Sequence, residues 1–306
     1  IAADIVPITG ENRVLAYYGL KLLNKNPRPG IEAILQHANI VRRKEEESDG
    51  IENVLTRELT ISDLVFLIGP RINAAGRIDK ASDSVRLLIA ENKEHAEKLA
   101  ASINDLNDMR REFDNNITKE ALDMIAADEK LKNASSTVVF NEQWHKGVIG
   151  IVASRLTDYY YRPTIVLTRA NDLITGSARS IKNFDIYDAI DNCSDLLEHF
   201  GGHKYAAGLS MKPENLPEFQ RRFEEYVSQH LVAEDSVPEI EVDLKIRFSD
   251  ITPKFMRILN QFAPFGPGNL APIFWTDDIY DTGTSRPVGD HRHLKLTVAQ
   301  KGDKEL

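Results

Sequence analysis

Cysteine is almost missing from this sequence, which has only Cys193 in 306 residues. A single thiol excludes an intramolecular disulfide and any zinc site built from several cysteines, and it favours a reducing compartment. The sequence also lacks an apolar run of membrane-spanning length, and its first residues do not have the pattern of a signal peptide. These absences predict a cytoplasmic protein that makes no membrane contact.

An excess of positive charge is also missing. The chain has 38 lysines and arginines against 47 aspartates and glutamates, a formal net charge of -9. This charge argues against binding of nucleic acid through an overall positive charge. Any nucleic acid must therefore be held by a local pocket or groove. The apolar content of 42% and charged content of 28% are ordinary for a soluble protein of two or three domains.

Proline and glycine are missing from residues 91–127. Apolar residues recur there at spacings of three and four, which predicts one helix of roughly 35 residues and roughly 50 Å. So long a helix with a narrow apolar stripe is typical of a connector between domains. Before it, the polar stretch at 42–50 is interpreted as a solvated helix face or loop.

After this helix, short strands alternate with helices, which indicates an α/β layer structure of about 100 residues. The predicted strands are 137–140, 164–167 and 174–180, and the predicted helices are 148–159, 186–200 and 216–231. From residue 240, apolar and charged residues alternate up to residue 248. This pattern predicts a half-buried strand of a separate all-β domain, and residues 294–298 predict another strand.

The segment 201–208, Gly-Gly-His-Lys-Tyr-Ala-Ala-Gly, combines small residues that let a ligand come close with one imidazole, His203. It resembles the GGHxxAAG signature of the DHHA1 domain, the substrate-binding partner of the DHH phosphoesterases. The segment 69–79, Gly-Pro-Arg-Ile-Asn-Ala-Ala-Gly-Arg-Ile-Asp, resembles the corresponding block of the RecJ family of single-strand-specific 5′ exonucleases. From the residues alone, His203 is equally typical of a buried histidine bonded to a carbonyl group.

The resemblance implies an α/β multidomain fold. Residues 1–90 would be the C-terminal part of a DHH domain, 91–130 the long connecting helix, 131–235 the DHHA1 domain, and 236–306 an incomplete oligonucleotide-binding (OB) barrel. The implied function is 5′–3′ hydrolysis of single-stranded DNA in recombination and repair, with helicases or single-strand-binding proteins as partners. The alternatives are a DHH–DHHA1 phosphodiesterase for oligonucleotides or cyclic dinucleotides, and a non-catalytic nucleic-acid-binding module.

Asp4 is the candidate metal ligand. By resemblance it matches the last aspartate motif of the DHH domain, which binds two divalent ions, Mn²⁺ or Mg²⁺. Read without the resemblance, it is a turn aspartate. The DHH triplet and the earlier aspartates are not in these residues. We therefore expect this stretch alone to assemble no metal site and to be inactive.

Candidate phosphate ligands fall into two groups by the resemblance. Arg71, Asn73 and Arg77 lie in the RecJ-like block, where the arginines would clamp a 5′-phosphate unless Asp79 or Asp83 pairs with them. The second group lies in or near the DHHA1 motif, where His203 is the candidate catalytic residue. Its other members are His145, Ser177, Arg179, Gly201 and Gly202.

The last segment adds candidates for binding of single strands. Arg292 and Lys295 belong to a basic cluster, which is otherwise a charged hairpin tip. Phe274 and Trp275 offer rings on which bases can stack. Core packing is the alternative for Phe274.

Overall fold

A computed structural model describes residues 1–2, 4, 6–43, 53–290 and 293–302. The polar stretch predicted at 42–50 lies outside this part of the chain, apart from its first two residues. Two compact units are present. Unit 1 consists of Ile1–Arg28, Ala38–Gly69 and Ile240–Leu306, and unit 2 of Pro29–His37 and Pro70–Glu239. The domain limits expected from the sequence stay predictions.

The helices of the described residues are numbered in chain order. They are α1 (Gly10–Lys25), α2 (Pro29–Gln36), α3 (Ile61–Asp63, continued by a π-helical turn over Leu64–Ile68), α4 (Gly69–Ile78), α5 (Ser82–Ile89), α6 (Lys93–Ala127), α7 (Glu129–Asn133), α8 (Ile149–Tyr160), α9 (Ile186–Asp191), α10 (Leu216–His230) and α11 (Pro253–Asn260).

The strands are β1 (Thr137–Phe140), β2 (Thr164–Ala170), β3 (Leu173–Arg179), β4 (Leu197–His203), β5 (Ala206–Met211), β6 (Leu244–Lys245), β7 (Phe274–Trp275), β8 (Ile279–Asp281), β9 (Arg286–Val288), β10 (His293–Lys295) and β11 (Val298–Gln300). Strands β1 to β5 form the sheet of unit 2, in the order β1-β2-β3-β5-β4. The pair β1–β2 is parallel and the other pairs are antiparallel.

The two faces of this sheet are covered differently. Helices α9 and α10 cover one face, with Phe219 and Phe223 fully buried at its centre. On the other face, α6 and α8 pack over β1 to β3 through Val152, Leu156 and Val166. Much of β4 remains exposed. This uneven cover leaves the surface of the sheet exposed at its β4 edge.

The predicted long helix is confirmed as α6, and Asn92 is its N-cap. The side chain of Asn92 accepts a hydrogen bond from the backbone N–H of His95 at 3.2 Å. Its first half packs against α2 and α5, and its second half against α8 and β1. Buried residues therefore run along its whole length, from Ala96 to Ile125. The helix connects the helical and α/β parts of unit 2 by packing against both.

The helix predicted over 186–200 is wrong in its second half. Helix α9 ends at Asp191, a 3₁₀ turn follows at Ser194–Leu196, and β4 begins at Leu197. Pairing with β5 along almost its whole length fixes residues 197–203 as a strand, and this pairing overrides the helical spacing. The Gly-Gly-His run therefore lies within a strand and not in a loop after a helix.

The strand predicted over 240–248 is also largely wrong. Only Leu244 and Lys245 form a strand, paired with β7, and a 3₁₀ turn follows at Phe248–Asp250. Ile240 is 78% exposed and Val242 and Leu244 are also exposed, while Ile246 is buried, so most of the apolar half of the alternation is not packed against a second layer of the described residues. The remaining strands pair only as β8–β11 and β9–β10. Within the described residues, the barrel of unit 1 does not close.

Candidate phosphate-binding site

Strand β3 presents Ser177 and Arg179 on the face of the sheet that carries α8. Side chains alternate along a strand, and Ile174, Gly176 and Ala178 are buried on the opposite face, towards α9 and α10. The guanidinium of Arg179 donates to Ser177 Oγ at 3.0 Å and to the carbonyl oxygen of Ala178 at 2.7 Å. These two bonds fix its direction at the end of the strand.

Glycines at the start of α8 allow this close approach. A Cβ atom on Gly150 would lie 3.0 Å from Ser177 Oγ and 3.1 Å from Arg179 Nη2. A Cβ atom on Gly147 would lie only 2.2 Å from the carbonyl oxygen of Arg77. The two glycines thus serve close packing, and they bring two arginines to the N-terminus of one helix.

Arg77 is exposed near the end of α4 and donates from Nη1 to the carbonyl oxygen of Gly147 at 3.2 Å. Asp83, one of its expected partners, pairs with Arg86 at 3.2 Å instead. Among the described residues, neither Arg77 nor Arg179 forms an ion pair with a carboxylate. Burial and then the charge of Arg77 lower the pKa of Arg179 from its usual value. Arg77 bonds to Gly147 and Arg179 lies beside Gly150, so both cations are at the start of α8. We call Arg77, Ser177, Arg179 and Gly150 the candidate phosphate site.

His203 lies on the same face of the sheet, at the same level as Arg179. The register pairs Arg179 with Ala206, and Ala206 with His203. Two strand spacings place the backbones of His203 and Arg179 about 10 Å apart. His203 is exposed, and its Nδ1 accepts a hydrogen bond from the N–H of Tyr205 at 3.3 Å. It is therefore not a buried core histidine.

Two exposed glycines, Gly201 and Gly208, face each other on β4 and β5, in register with Ser177 of β3. A Cβ atom on Gly201 would meet no atom within 4 Å, and one on Gly208 would meet only the carbonyl oxygen of Gly176, at 3.9 Å. Internal packing therefore does not explain why these positions lack side chains. We call this pair the glycine floor. Gly202 differs, because its Cβ atom would lie 2.3 Å from the carbonyl oxygen of Ala206.

His145 is half-buried beside the candidate phosphate site. Its ring stacks on Phe113, with 5.3 Å between the centroids and 5° between the planes. Its Nδ1 accepts a hydrogen bond from the N–H of Gly147 at 3.1 Å. His145 therefore orders the loop that leads into α8, and this same loop accepts the bond from Arg77.

Arg71 does not join Arg77, which corrects the expectation that the two arginines bracket one anion. The whole block is helical, and six residues turn the helix by about 240°, so the two side chains leave in different directions. Arg71 donates to Asn104 Oδ1 at 3.1 Å and to the carbonyl oxygen of His37 at 3.3 Å. Asn73, four residues before Arg77, shares the Arg77 side of α4 and is exposed. The small residues Ala74 and Ala75 are fully buried and serve packing.

The remaining candidates lie in unit 1. Asp4 is exposed in a turn, and no group of three or more histidine, cysteine or acidic side chains able to hold a metal occurs in the described part of the chain. These residues do not fit a site for two divalent ions, so no step through a metal is derived from them. No helix among the described residues is long and apolar enough to cross a membrane.

Lys295 is exposed in β10, directly opposite Arg286 of β9. Arg292 lies outside the described residues. Phe274 packs on Phe255 with 5.5 Å between ring centroids, which favours a packing role for it. The exposed Trp275 carries Lys245 Nζ at 4.6 Å over its ring.

Two arginines that the sequence did not single out, Arg110 of α6 and Arg155 of α8, extend the cationic surface beside Arg77. The sequence feature that could have revealed them is Asp114, a charged residue at one of the buried positions of α6. A charge at such a position requires a buried partner.

Comparison with known protein families identifies both domains. The DHHA1 domain family matches residues 132–229, and the RecJ OB domain family matches residues 242–306. The chain contains a DHHA1 domain and a RecJ OB domain and is homologous to RecJ proteins. The resemblance drawn from residues 69–79 and 201–208 is confirmed, as is the α/β multidomain fold with an OB domain whose barrel does not close within the described residues.

Similarity to RecJ proteins extends over nearly the whole chain. The single-stranded-DNA-specific exonuclease RecJ of Bacillus subtilis (strain 168) is 34% identical over 97% of this chain and 36% of its own length. The protein of the same name from Escherichia coli (strain K12) is 34% identical over 98% of this chain and 50% of its own. The crystal structure of RecJ in complex with Mn²⁺ from Thermus thermophilus superimposes with a TM-score of 0.81 at 28% identity, covering 100% of this chain and 43% of that one. The chain thus spans half or less of the length of these relatives.

Proposed function

We propose that this chain is the strand-binding part of a 5′–3′ exonuclease specific for single-stranded DNA. The candidate phosphate site holds the terminal 5′-phosphate, and the glycine floor receives the first nucleotide. The observation that carries this proposal is the convergence of Arg77 and Arg179 at the start of α8, with no carboxylate partner for either among the described residues. Two guanidinium groups beside a helix N-terminus, one of them partly buried, favour a phosphate dianion as the ligand.

The geometry of the glycine floor supports a substrate orientation in which the first nucleotide lies on the sheet beside the candidate phosphate site. A phosphate held by Arg179 and Ser177 places its nucleotide beside Gly208 and Gly201, which lie in register with Ser177 across the sheet. The bare backbone there allows a sugar or base to lie directly on the sheet. His203, whose exposed imidazole is carried about 10 Å from Arg179 across two strand spacings, is the candidate for contact with the sugar.

Hydrolysis itself needs groups that the described residues do not supply. RecJ of Thermus thermophilus has been crystallised with Mn²⁺ and with Mg²⁺, which supports a dependence on divalent ions. We infer that Asp4 contributes at most one carboxylate to the binding of these ions and that their other ligands are not among the described residues. The setting that suits this activity is recombination and repair of DNA in the cytoplasm, with helicases or single-strand-binding proteins as partners.

Binding of a short single strand with a 5′-phosphate tests the proposal. In the 306-residue chain, Arg179→Ala should raise the Kd for 5′-phosphorylated oligothymidylate by roughly 10- to 100-fold, because charge-assisted hydrogen bonds contribute about 1.5–3 kcal/mol. Arg179→Lys should recover part of the loss, since lysine keeps the charge but not the planar fork. Fluorescence anisotropy measures all three affinities.

Arg169→Ala is the matched control. Arg169 lies in β2 of the same sheet, is exposed, and faces Glu142 at 3.9 Å. Removing it lowers the net charge by the same amount without touching the candidate phosphate site. Equal affinities for the wild-type chain and Arg179→Ala, or equal losses in Arg179→Ala and Arg169→Ala, would contradict the assignment.

A further inference from the structure

A buried carboxylate lies between two arginines next to the candidate phosphate site. Asp114 of α6 is fully buried, with 0% of its side chain exposed. Arg155 Nη2 of α8 lies 2.7 Å from Asp114 Oδ2, and Arg110 Nη1 of α6 lies 3.5 Å from the same atom. Burial raises the pKa of Asp114, while Arg155 and Arg110 act in the opposite direction. The carboxylate therefore depends on both arginines for its compensation.

Each of these arginines is held by a second bond. Arg110 Nη2 donates to Asn107 Oδ1 at 2.9 Å, and Arg155 Nη1 donates to Asn115 Oδ1 at 3.0 Å. Both guanidinium groups are thus fixed in direction before any ligand arrives. A guanidinium has five N–H donors, so each retains donors beyond those used here. The side chain of Arg155 is 45% exposed and reaches solvent.

The charge of this group is not balanced. Asp114 is shared by Arg110 and Arg155, and the further cations Arg77 and Arg111 lie close enough to lower the pKa of Arg110, after the larger effect of its burial. Arg77 also lowers the pKa of Arg179. Arg77 donates to the carbonyl oxygen of Gly147, in the loop where His145 stacks on Phe113, the residue before Asp114 in α6. This loop therefore joins the candidate phosphate site to the buried carboxylate.

We propose that Arg110 and Arg155, positioned by Asp114, form a second phosphate subsite that binds an internal phosphodiester of a single strand. This proposal rests on the proposed function, because it takes the candidate phosphate site as the place of the terminal phosphate. Arg77 and Arg179 then hold the terminal phosphate, and Arg110 and Arg155 hold the next phosphate along the same strand. Asp114 is a positioning residue, which orients two guanidinium groups without touching the nucleic acid.

The test removes one charge from the ligand at a time. The ligand is 5′-phosphorylated dithymidylate, prepared with an ordinary phosphodiester and with an uncharged methylphosphonate linkage. For the wild-type chain, we expect the neutral linkage to weaken binding roughly tenfold, because the second subsite loses its charge-assisted bonds. In Arg155→Ala, the two ligands should bind with affinities within about twofold of each other, and Arg155→Lys should restore part of the difference.

The same ligands separate the second subsite from the proposed function. Each protein is also titrated with dithymidylate that ends in a 5′-hydroxyl group. Absence of any preference for the 5′-phosphate in the wild-type chain would overturn the proposed function. A normal preference for the 5′-phosphate, combined with an unchanged effect of the neutral linkage in Arg155→Ala, would overturn only the second subsite.

A purely structural role for the network gives a different result. If Arg155 and Asp114 only tie α6 to α8, Arg155→Ala should lower thermal stability and affect charged and neutral linkages equally, which would overturn the second subsite. Arg169→Ala is the control for the loss of a surface arginine, and we expect it to keep the roughly tenfold effect of the linkage. Asp114→Asn, used if it folds with the wild-type circular dichroism spectrum, should reduce the linkage effect as Arg155→Ala does.

Discussion

At the scale of single residues, two neighbouring positions of β4, Gly201 and Gly202, are occupied by glycine for different physical reasons. A Cβ atom on Gly202 would overlap the carbonyl oxygen of Ala206 at 2.3 Å, so the fold requires glycine there. A Cβ atom on Gly201 would meet nothing within 4 Å, so the folded chain by itself tolerates alanine at this position. If the glycine floor receives a nucleotide, Gly201 is required by the ligand and Gly202 by the protein.

Alanine substitutions of these two glycines should therefore have different effects on stability and on binding. Gly202→Ala should lower the free energy of unfolding by about 2 kcal/mol or more, since backbone must move to remove the overlap. Gly201→Ala should change it by less than about 0.5 kcal/mol. The same Gly201→Ala should weaken binding of 5′-phosphorylated oligothymidylate several-fold, because the methyl group occupies the floor. Urea denaturation and fluorescence anisotropy measure the two effects. Unaltered binding by Gly201→Ala would show that no ligand lies on the floor.

Other residues of the site show what the sequence could and could not reveal. Ser177 and Arg179 were singled out by the resemblance, because a strand end with small hydroxylated residues and one arginine precedes the Gly-Gly-His run, and the structure places both side chains on one face of β3. The separation of Arg71 from Arg77 was missed, because the Asn-Ala-Ala-Gly run between them suggests an irregular backbone and the structure makes it a helix. Asp114 was missed because its meaning depends on Arg155, which approaches from a helix about 40 residues later.

At the scale of secondary-structure elements, local pattern was sufficient where an element packs along its whole length. Helix α6 was predicted within two residues of its observed start at Lys93, and β1 to the residue. Strand β4 was missed because its spacing also fits a helix, and only the partner strand β5 decides between the two. The strand expected over 240–248 failed for the opposite reason, since most of it has no partner to pair with in the described residues.

The turn between α7 and β1 shows an element that depends on one distant side chain. Arg162 is 7% exposed and donates to the carbonyl oxygens of Leu131, Lys132 and Ala134, and to Thr137 Oγ1. These carbonyl groups at the end of α7 have no partner within the helix, so the guanidinium of Arg162 replaces the missing N–H donors. It therefore holds the end of the helical part against the first strand of the sheet.

Arg162→Ala should destabilise the chain by about 2–4 kcal/mol, because several buried carbonyl groups lose their donor. Arg162→Lys should recover little, since one ammonium cannot reach the same set of carbonyl groups. Urea denaturation followed by circular dichroism gives both values. Arg222→Ala, at a half-exposed arginine of α10 paired with Asp195 at 2.9 Å, is the comparison and should cost about 1 kcal/mol or less. Similar losses in the two alanine variants would mean that the carbonyl groups find other partners.

At the scale of the whole molecule, a net charge of -9 coexists with a group of arginines in unit 2, namely Arg77, Arg110, Arg155 and Arg179. The general field of the chain repels a polyanion, so binding must come from short-range bonds to this group. Such binding should depend on the position of a phosphate in the ligand and not only on the total charge of the ligand. This expectation distinguishes a phosphate site from a non-specific basic surface.

The most direct measurement compares two isomeric ligands. Short oligothymidylates with one terminal phosphate, at the 5′ end or at the 3′ end, carry the same charge and the same bases. We predict that the chain binds the 5′-phosphorylated isomer roughly tenfold more tightly at physiological salt, because only that isomer places a terminal phosphate at Arg77 and Arg179 with its nucleotide on the glycine floor. Equal affinities for the two isomers, measured by anisotropy or calorimetry, would contradict the claim that this chain holds a 5′ end.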